Sequence, residues 1–352
     1  MDFFVLNQEY KKIAVIDQFE SILWVDRYDK PGEFEIYTLV TNDMLEYPVV
    51  NNYIQIPDSD KTMIIEDVKI ESNIETGNNI RITGRSLESI LDRRYILGTI
   101  DVTGSLQDSI KSIINANIIS PEDTDRAISN FVFQESEDSE ITSLTYENQF
   151  SGISVLEAIE EMCQSKDIGF KILLNDANQF VMSLYKGTDR SYNQDTLPYV
   201  VFKPSFDNVI SSNYSETNSD AKNFCYVHGQ YVENSETVDV TRTSGSGTGL
   251  LRKEHYTDSS ITKEDDMTVQ EFYDKLDQDA ASILTDYKVK KEFTGEYETS
   301  RMFKYNEDFF LGDVCQVANE YGMESTSRVT EYMWSISESG IEHYPTFTAI
   351  DQ

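Results

Sequence analysis

WVDRYDKPGEFEIY, residues 24–37, reads as two strands folded around a Lys30-Pro31-Gly32 turn. Pro31 presets φ for the first corner, and Gly32 is expected to take the positive φ that the second corner of a type II turn requires. Past the turn, Phe34, Ile36 and Thr38 alternate with Glu33, Glu35 and Tyr37, the period of a strand with one buried face. Short runs of the same kind lie on either side: Ile13–Ile16, Tyr53–Ile56, Met63–Ser72 and Asn79–Thr83. They are separated by the turn segments Pro57-Asp58-Ser59-Asp60 and Thr76-Gly77-Asn78. This spacing predicts a small barrel or sandwich over residues 1–103. Ser86 is expected to cap a short closing helix that carries Leu87, Ile90 and Leu91.

The class changes near Gly104. Leu106, Ile110, Ile113 and Ile114 share one face of a helix over Ser105–Asn117, and Val155, Leu156, Ile159 and Met162 share one over Ser154–Ser165. Strands at Ile168–Leu174 and Gln179–Lys186 follow, joined around Asn175-Asp176-Ala177-Asn178, while Gln134–Glu140 reads as an acidic loop. Beyond Thr196 the signals are β again, at Tyr199–Phe202, Ser212–Glu216 and Phe224–Val232. Thr243–Gly249 reads as a loop tip. Thr268 caps an amphipathic helix to Asp286 with Val269, Phe272, Leu276, Ala280, Ile283 and Leu284 on its face. Strands then resume to Ile350, clearest at Phe309–Val317 and Arg328–Ile336. The expected fold class is mixed α+β, mainly β. Two β-domains, 1–103 and 196–236 joined with 297–352, alternate with helix-containing α/β modules at 104–195 and 237–296. The alternation points to two related halves, without a residue-level repeat.

A chain of 352 residues accommodates two to four such units. Its 39% hydrophobic and 12% aromatic content is that of a globular protein. Lys+Arg 29 against Asp+Glu 63 leaves a formal charge of -34, a surface that repels phosphates and disfavours conventional nucleic-acid binding. Evenly spread acid would serve solubility; acid gathered on one surface would let a polyanion slide past. Cys163, Cys225 and Cys315 are far apart and set in apolar surroundings, as buried reduced thiols are, so folding in a reducing cytoplasm is expected. Neither a signal peptide in residues 1–20 nor a stretch of 18 apolar residues is evident, so membrane insertion is not expected.

Candidate chemistry is sparse. His228 sits in a strand-like segment, His255 in a charged loop and His343 near the end, with no metal-ligand spacing among them. Asp265 and Asp266 could act as paired carboxylates or bind calcium, but the helix that follows explains them, because its N-terminus favours negative charge. The Gly245–Gly249 loop lacks the Lys-Ser/Thr ending of a phosphate loop, and the spacing of a serine-hydrolase elbow is absent. No catalytic, cofactor-binding or metal residue is predicted, and no enzyme activity.

Four motifs in order span most of the chain: Arg27-Tyr28 before Gly32-Glu33-Phe34-Glu35; Gly84-Arg85-Ser86-Leu87; Leu91-Asp92-Arg93-Arg94; and Leu311-Gly312-Asp313-Val314 followed by Arg328-Val329-Thr330-Glu331. Their ensemble resembles the amino-terminal hub region of tail-tip proteins of long-tailed bacteriophages, the tail-associated lysin or baseplate hub family. The resemblance implies two small tube-like β-barrel domains per copy and a homotrimeric ring. That ring would join a hexameric tail tube to a threefold tip, with a tube or distal tail protein above and a tip, fibre or lysin protein below. DNA would pass through the ring without specific binding, and the inward β faces are expected to carry Asp and Glu. Longer family members continue into a peptidase, muramidase or fibre. Here the sequence stops at Gln352, so wall digestion or receptor binding is expected of another protein. The implied location is the virion tail tip, assembled in the host bacterial cytoplasm. Two other classes stay open: a wall hydrolase using two carboxylates, and a carbohydrate-binding receptor protein with Trp24 or Trp334 lining a groove.

Overall fold

The computed structural model describes residues 2–57, 59–73, 77–264, 267–299, 302–338 and 340–350. Asp58 and Thr76, read as turn residues, lie outside these, as do Asp265 and Asp266. The first β-unit comprises β1 (Phe3–Leu6), β2 (Lys12–Ile16), β3 (Ser21–Arg27), β4 (Glu33–Leu39), α1 (Asn42–Glu46), β5 (Tyr53–Gln55), β6 (Met63–Asn73) and β7 (Gly77–Ser86). In β4 the predicted alternation holds, with Phe34, Ile36 and Thr38 buried. The turn chemistry differs. Gly32 does not have a positive φ, so the turn is not the type II form expected. Gly32 is needed for space instead, because a Cβ there would fall on the Val25 carbonyl. Ser86 precedes a 3-10 turn over Leu87–Arg93 but does not cap it; its hydroxyl accepts the Gly32 N–H at 2.7 Å.

The next segment holds β8 (Thr99–Ser105), α2 (Leu106–Ile114), β9 (Phe131–Gln134), α3 (Ser139–Thr142), β10 (Thr145–Ser151), α4 (Val155–Gln164), β11 (Gly169–Leu174) and β12 (Phe180–Tyr185). Ser154 and Glu157 form a capping box on α4. Leu106, Ile110, Ile159 and Met162 from the two helices meet Phe170, Ile172 and Met182 of the strands in one core. β8 and β10 pair with each other, a ladder the sequence reading missed. The acidic loop ends in α3, whose first turn is capped by Asp138.

The remaining elements are β13 (Val201–Phe202), β14 (Asn213–Thr217), β15 (Phe224–Glu233), β16 (Glu236–Gly245), β17 (Glu254–Asp258), α5 (Val269–Asp286), β18 (Lys290–Thr294), β19 (Val314–Ala318), β20 (Glu324–Ser337) and β21 (Gly340–Ala349). β15, read as part of the second β-domain, pairs with β16 and β17 in a separate sheet. The reason is apolar: Cys225, Val227 and Tyr231 of β15 cluster with Phe272, Leu276 and Ala280 of α5, and Gly229 leaves room for Leu276. His255 stands in β17, not in a loop. The strand expected from Phe309 starts only at Val314, because Gly312 turns the chain at φ +87 and Phe309 is fully buried in the core.

The two β-units share one sheet. β3 pairs antiparallel with β20 from Ser21↔Ser337 to Arg27↔Glu331, which puts Trp24 opposite Trp334. The strand order across the seam is β14-β18-β21-β20-β3-β4-β7-β6-β5-β1-β2. One hydrophobic cluster runs beneath it from Phe3 and Val5 to Tyr332 and Phe347. The protein is mainly β, as expected.

Candidate functional site

Two of the four motifs that single out this chain converge on Tyr28. The chain carries this residue out of β3 so that its N–H donates to Thr330 O at 3.0 Å, and its carbonyl accepts the Phe170 N–H at 3.3 Å. Its hydroxyl donates to Asp167 O at 3.1 Å, while the Tyr185 hydroxyl donates to the Tyr28 carbonyl at 3.3 Å. One residue, mostly through its backbone, thus ties both β-units to the strands β11 and β12. Gly169 and Gly312 are the residues that let the chain pass this ring, since a Cβ at either would overlap it. Arg328 stacks over the ring at 5.3 Å and donates to Gly312 O at 2.7 Å. Asp313, 2% exposed, accepts from Thr188 N, Arg190 Nε and Phe310 N at 2.7, 2.7 and 3.1 Å. Arg27 donates to Glu33 and Glu331 at 2.7 Å each, stapling the seam. Arg85 pairs with Glu66 and Asp92 at 2.9 and 3.2 Å. These residues fasten units together, a structural role.

Beneath this junction lies a buried charged group that the sequence did not mark. Asp26, Lys61 and Glu88 are 2%, 3% and 0% exposed. The Lys61 ammonium contacts Glu88 Oε1, which also accepts the Ile172 N–H at 3.1 Å. Asp26 accepts from Trp24 Nε1 at 3.0 Å and Ser59 Oγ at 2.8 Å. Burial pushes the Asp26 carboxyl up to about 7, against the pull of the Lys61 charge and the Ser59 hydrogen bond. Lys61 is held above the usual lysine range: burial works against its charge, and Glu88 and Asp26 outweigh that penalty. Sealed from solvent, the group serves to lock the first β-unit onto β11.

The strands from β14 to β6 present a second face, away from the core. The alternation of side chains places Glu33 and Glu35, Arg81 and Thr83, Asp67, Lys69 and Glu71, Lys290, Thr346 and Thr348 on it. Arg27 holds Glu33 and Glu331 there, and Arg81 lies 3.7 Å from Glu35. The face is rich in hydroxyls and paired charges. Acid and base are mixed on it, with Glu292 beside Lys290 as well.

The histidines stay apart. His228 Nδ1 meets Asp258 at 2.9 Å, His255 lies 4.6 Å from the Tyr287 ring, and His343 Nδ1 meets the Tyr332 hydroxyl at 2.9 Å. Among the described residues no cluster of His, Cys, Asp or Glu could hold a metal ion, and no helix is long and apolar enough to cross a membrane. Cys163, Cys225 and Cys315 are free and buried, and burial raises each thiol. Of Thr243–Gly249, read as a loop tip, Thr243, Ser244 and Gly245 instead end β16 paired with β15, and only residues 246–248 form a loop before a 3-10 turn that opens at Gly249. Trp334 borders a cleft of about 740 Å³ with Tyr305 and His343 but is 2% exposed, and Trp24 is 0% exposed. Neither indole offers a sugar-stacking platform.

This fold is shared with solved phage tail proteins. A tail protein from Neisseria meningitidis MC58 superposes with a TM-score of 0.60 at 13% identity, covering 100% of this chain and 97% of that one. The 43 kDa tail protein of prophage MuSo2 from Shewanella oneidensis gives 0.59 at 9% identity, covering 99% and 98%. Prophage tail protein gp18 from Listeria monocytogenes EGD-e gives 0.55 at 13%, covering 99% and 94%. No curated protein matches by sequence. A family model described as Siphovirus ReqiPepy6 Gp37-like protein matches residues 2–347, so the chain belongs to that family of phage tail proteins.

Proposed function

We propose that this chain is the structural hub of a phage tail tip, three copies of which close a ring between a hexameric tube and a threefold tip. The observation that carries the reading is the β3–β20 seam. It fuses two antiparallel four-stranded sets, β14-β18-β21-β20 and β3-β4-β7-β6, into one face. One chain thereby offers two tube-like units, and three chains offer six. The hydroxyl-rich face with its paired charges would line the channel, and few unpaired cations there would grip passing DNA. The modules 104–195 and β15–β17 with α5 would decorate the outside. A tube or distal tail protein would sit above, and a tip, fibre or lysin protein below. Assembly in the host cytoplasm accords with three buried thiols. Light scattering of the purified chain over a range of concentrations tests the reading, followed by electron microscopy. A trimeric mass and a central channel are expected; a monomer at every concentration, or a particle without a channel, refutes it.

A further inference from the structure

The buried group around Lys61 sets a nucleophile against an electrophile, and the strand ladder beside it fixes both. Met63↔Ser86 is the last pair of the β6–β7 ladder, and just beyond it the Leu87 N–H donates to Thr62 O at 3.1 Å. Lys61 and Glu88, one residue further out, are therefore brought side by side. The Lys61 N–H donates to Ser59 Oγ at 3.1 Å, which steadies the backbone that carries the amine. The amine touches Glu88 Oε1, and neither residue is open to solvent, at 3% and 0% exposed. Oε1 also accepts the Ile172 N–H at 3.1 Å, while Oε2 has no hydrogen-bond partner among the described residues. A buried carboxylate built only as a counter-ion would have both oxygens bonded.

We propose that Lys61 and Glu88 join in an isopeptide bond once the chain has folded, a covalent tie across the ends of β6 and β7. The inference does not depend on the hub reading. The ion pair is the reactant state, and the bond accumulates from it with time. One ammonium proton passes to the Glu88 carboxyl, where Oε2 is free to carry it. That leaves a neutral amine beside a neutral acid, a form that exposes no charge to the apolar surroundings. Lys61 Nζ then attacks Glu88 Cδ, and the C–N bond forms. The carbonyl electron pair moves onto Oε1, where the Ile172 N–H is already in place as the oxyanion donor. The new nitrogen gives its surplus proton to the Oε2 hydroxyl, the C–O bond breaks, and one water leaves. No oxidant or co-reactant is required. Contact replaces a bimolecular encounter, and the sealed site keeps out the water that would reverse the step. The product would hold β6 and β7 in register under a pull that breaks hydrogen bonds.

Mass spectrometry of the full chain, freshly purified and after incubation, tests this. The incubated chain should be lighter than its sequence by one water. After denaturation trypsin should fail to cut at Lys61, and the digest should contain a branched peptide joining Lys61 to Glu88. Lys61→Arg, which keeps a cation opposite Glu88 but offers no amine, should retain the full mass. Full mass throughout the incubation, with ordinary cleavage at Lys61, overturns the proposal, and this arm uses the unaltered chain. A water loss that maps to other residues, or that persists in Lys61→Arg, overturns it as well. None of these outcomes depends on the oligomeric state, so the ring reading stands or falls separately.

Discussion

Removing the Lys61 charge should do more damage than its single ion pair implies. Lys61→Met keeps the length of the stem and deletes the ammonium. The Glu88 carboxylate, 0% exposed and with Oε2 already lacking a partner, would then have to stay charged without a counter-ion or take up a proton. Breaking one side of such a buried pair costs roughly 3–5 kcal/mol. The double variant Lys61→Met with Glu88→Gln removes both charges, while Oε1 of the new amide can still accept the Ile172 N–H that joins the unit to β11. Its expected cost is about 1–2 kcal/mol, that of a lost charge-assisted hydrogen bond. The coupling between the two sites should therefore be on the order of 2 kcal/mol or more. Urea unfolding followed by tryptophan fluorescence reads it directly, because Trp24 is hydrogen-bonded to Asp26 within the same group. If Lys61→Met costs under about 1 kcal/mol, as an exposed pair would, or if the double variant is no more stable than the single, the lock described here is wrong.

Gly312→Ala should destabilise by about 1–3 kcal/mol, since its φ of +87 disfavours a side chain and the new methyl meets the Tyr28 ring. Tyr28→Phe, which keeps the ring and loses the hydroxyl's bonds to Asp167 O and, at 3.5 Å, Tyr185 O, should cost about 1 kcal/mol in the same urea assay. Thr268→Ala removes the hydroxyl and half of the capping box of α5, so a loss of about 1 kcal/mol and faster amide exchange in its first turn are expected. The Asp26 carboxyl titrates at about 7 in the folded chain and near ~3.9 unfolded. The stability it contributes is full below the lower value and is lost as pH rises through the higher one. Asp26→Asn should flatten stability against pH between about 4 and 7; an unchanged slope in pH-dependent melts would contradict that.

Local signals were legible where one period dominates. Phe34, Ile36 and Thr38 placed β4 correctly, and Phe272, Leu276 and Ala280 placed the buried face of α5. Pairing was less legible. Phe224–Glu233 looks like any half-buried strand, and only the apolar face of α5 decides that it leaves the main sheet. β8, short and interrupted by Asp101 and Thr103, carries too little apolar periodicity to announce itself. Gly32 was correctly seen as obligatory but for the wrong reason, because a close approach to Val25 is a tertiary fact. Charges are the hardest. Among 63 acidic residues nothing local distinguishes Glu88, whose burial arises from β11 folding over it.

The seam has a further consequence for how the protein is made. The Arg27–Glu331 pair joins residues 304 apart in sequence, so β3 waits for its neighbour until almost the whole chain has left the ribosome. At about 5–20 residues per second that delay is roughly 15–60 s. During it the first β-unit displays a raw strand edge beside Trp24, in a cell filling with identical nascent chains. Timing, as much as affinity, then decides whether that edge meets its own β20 or a stranger's.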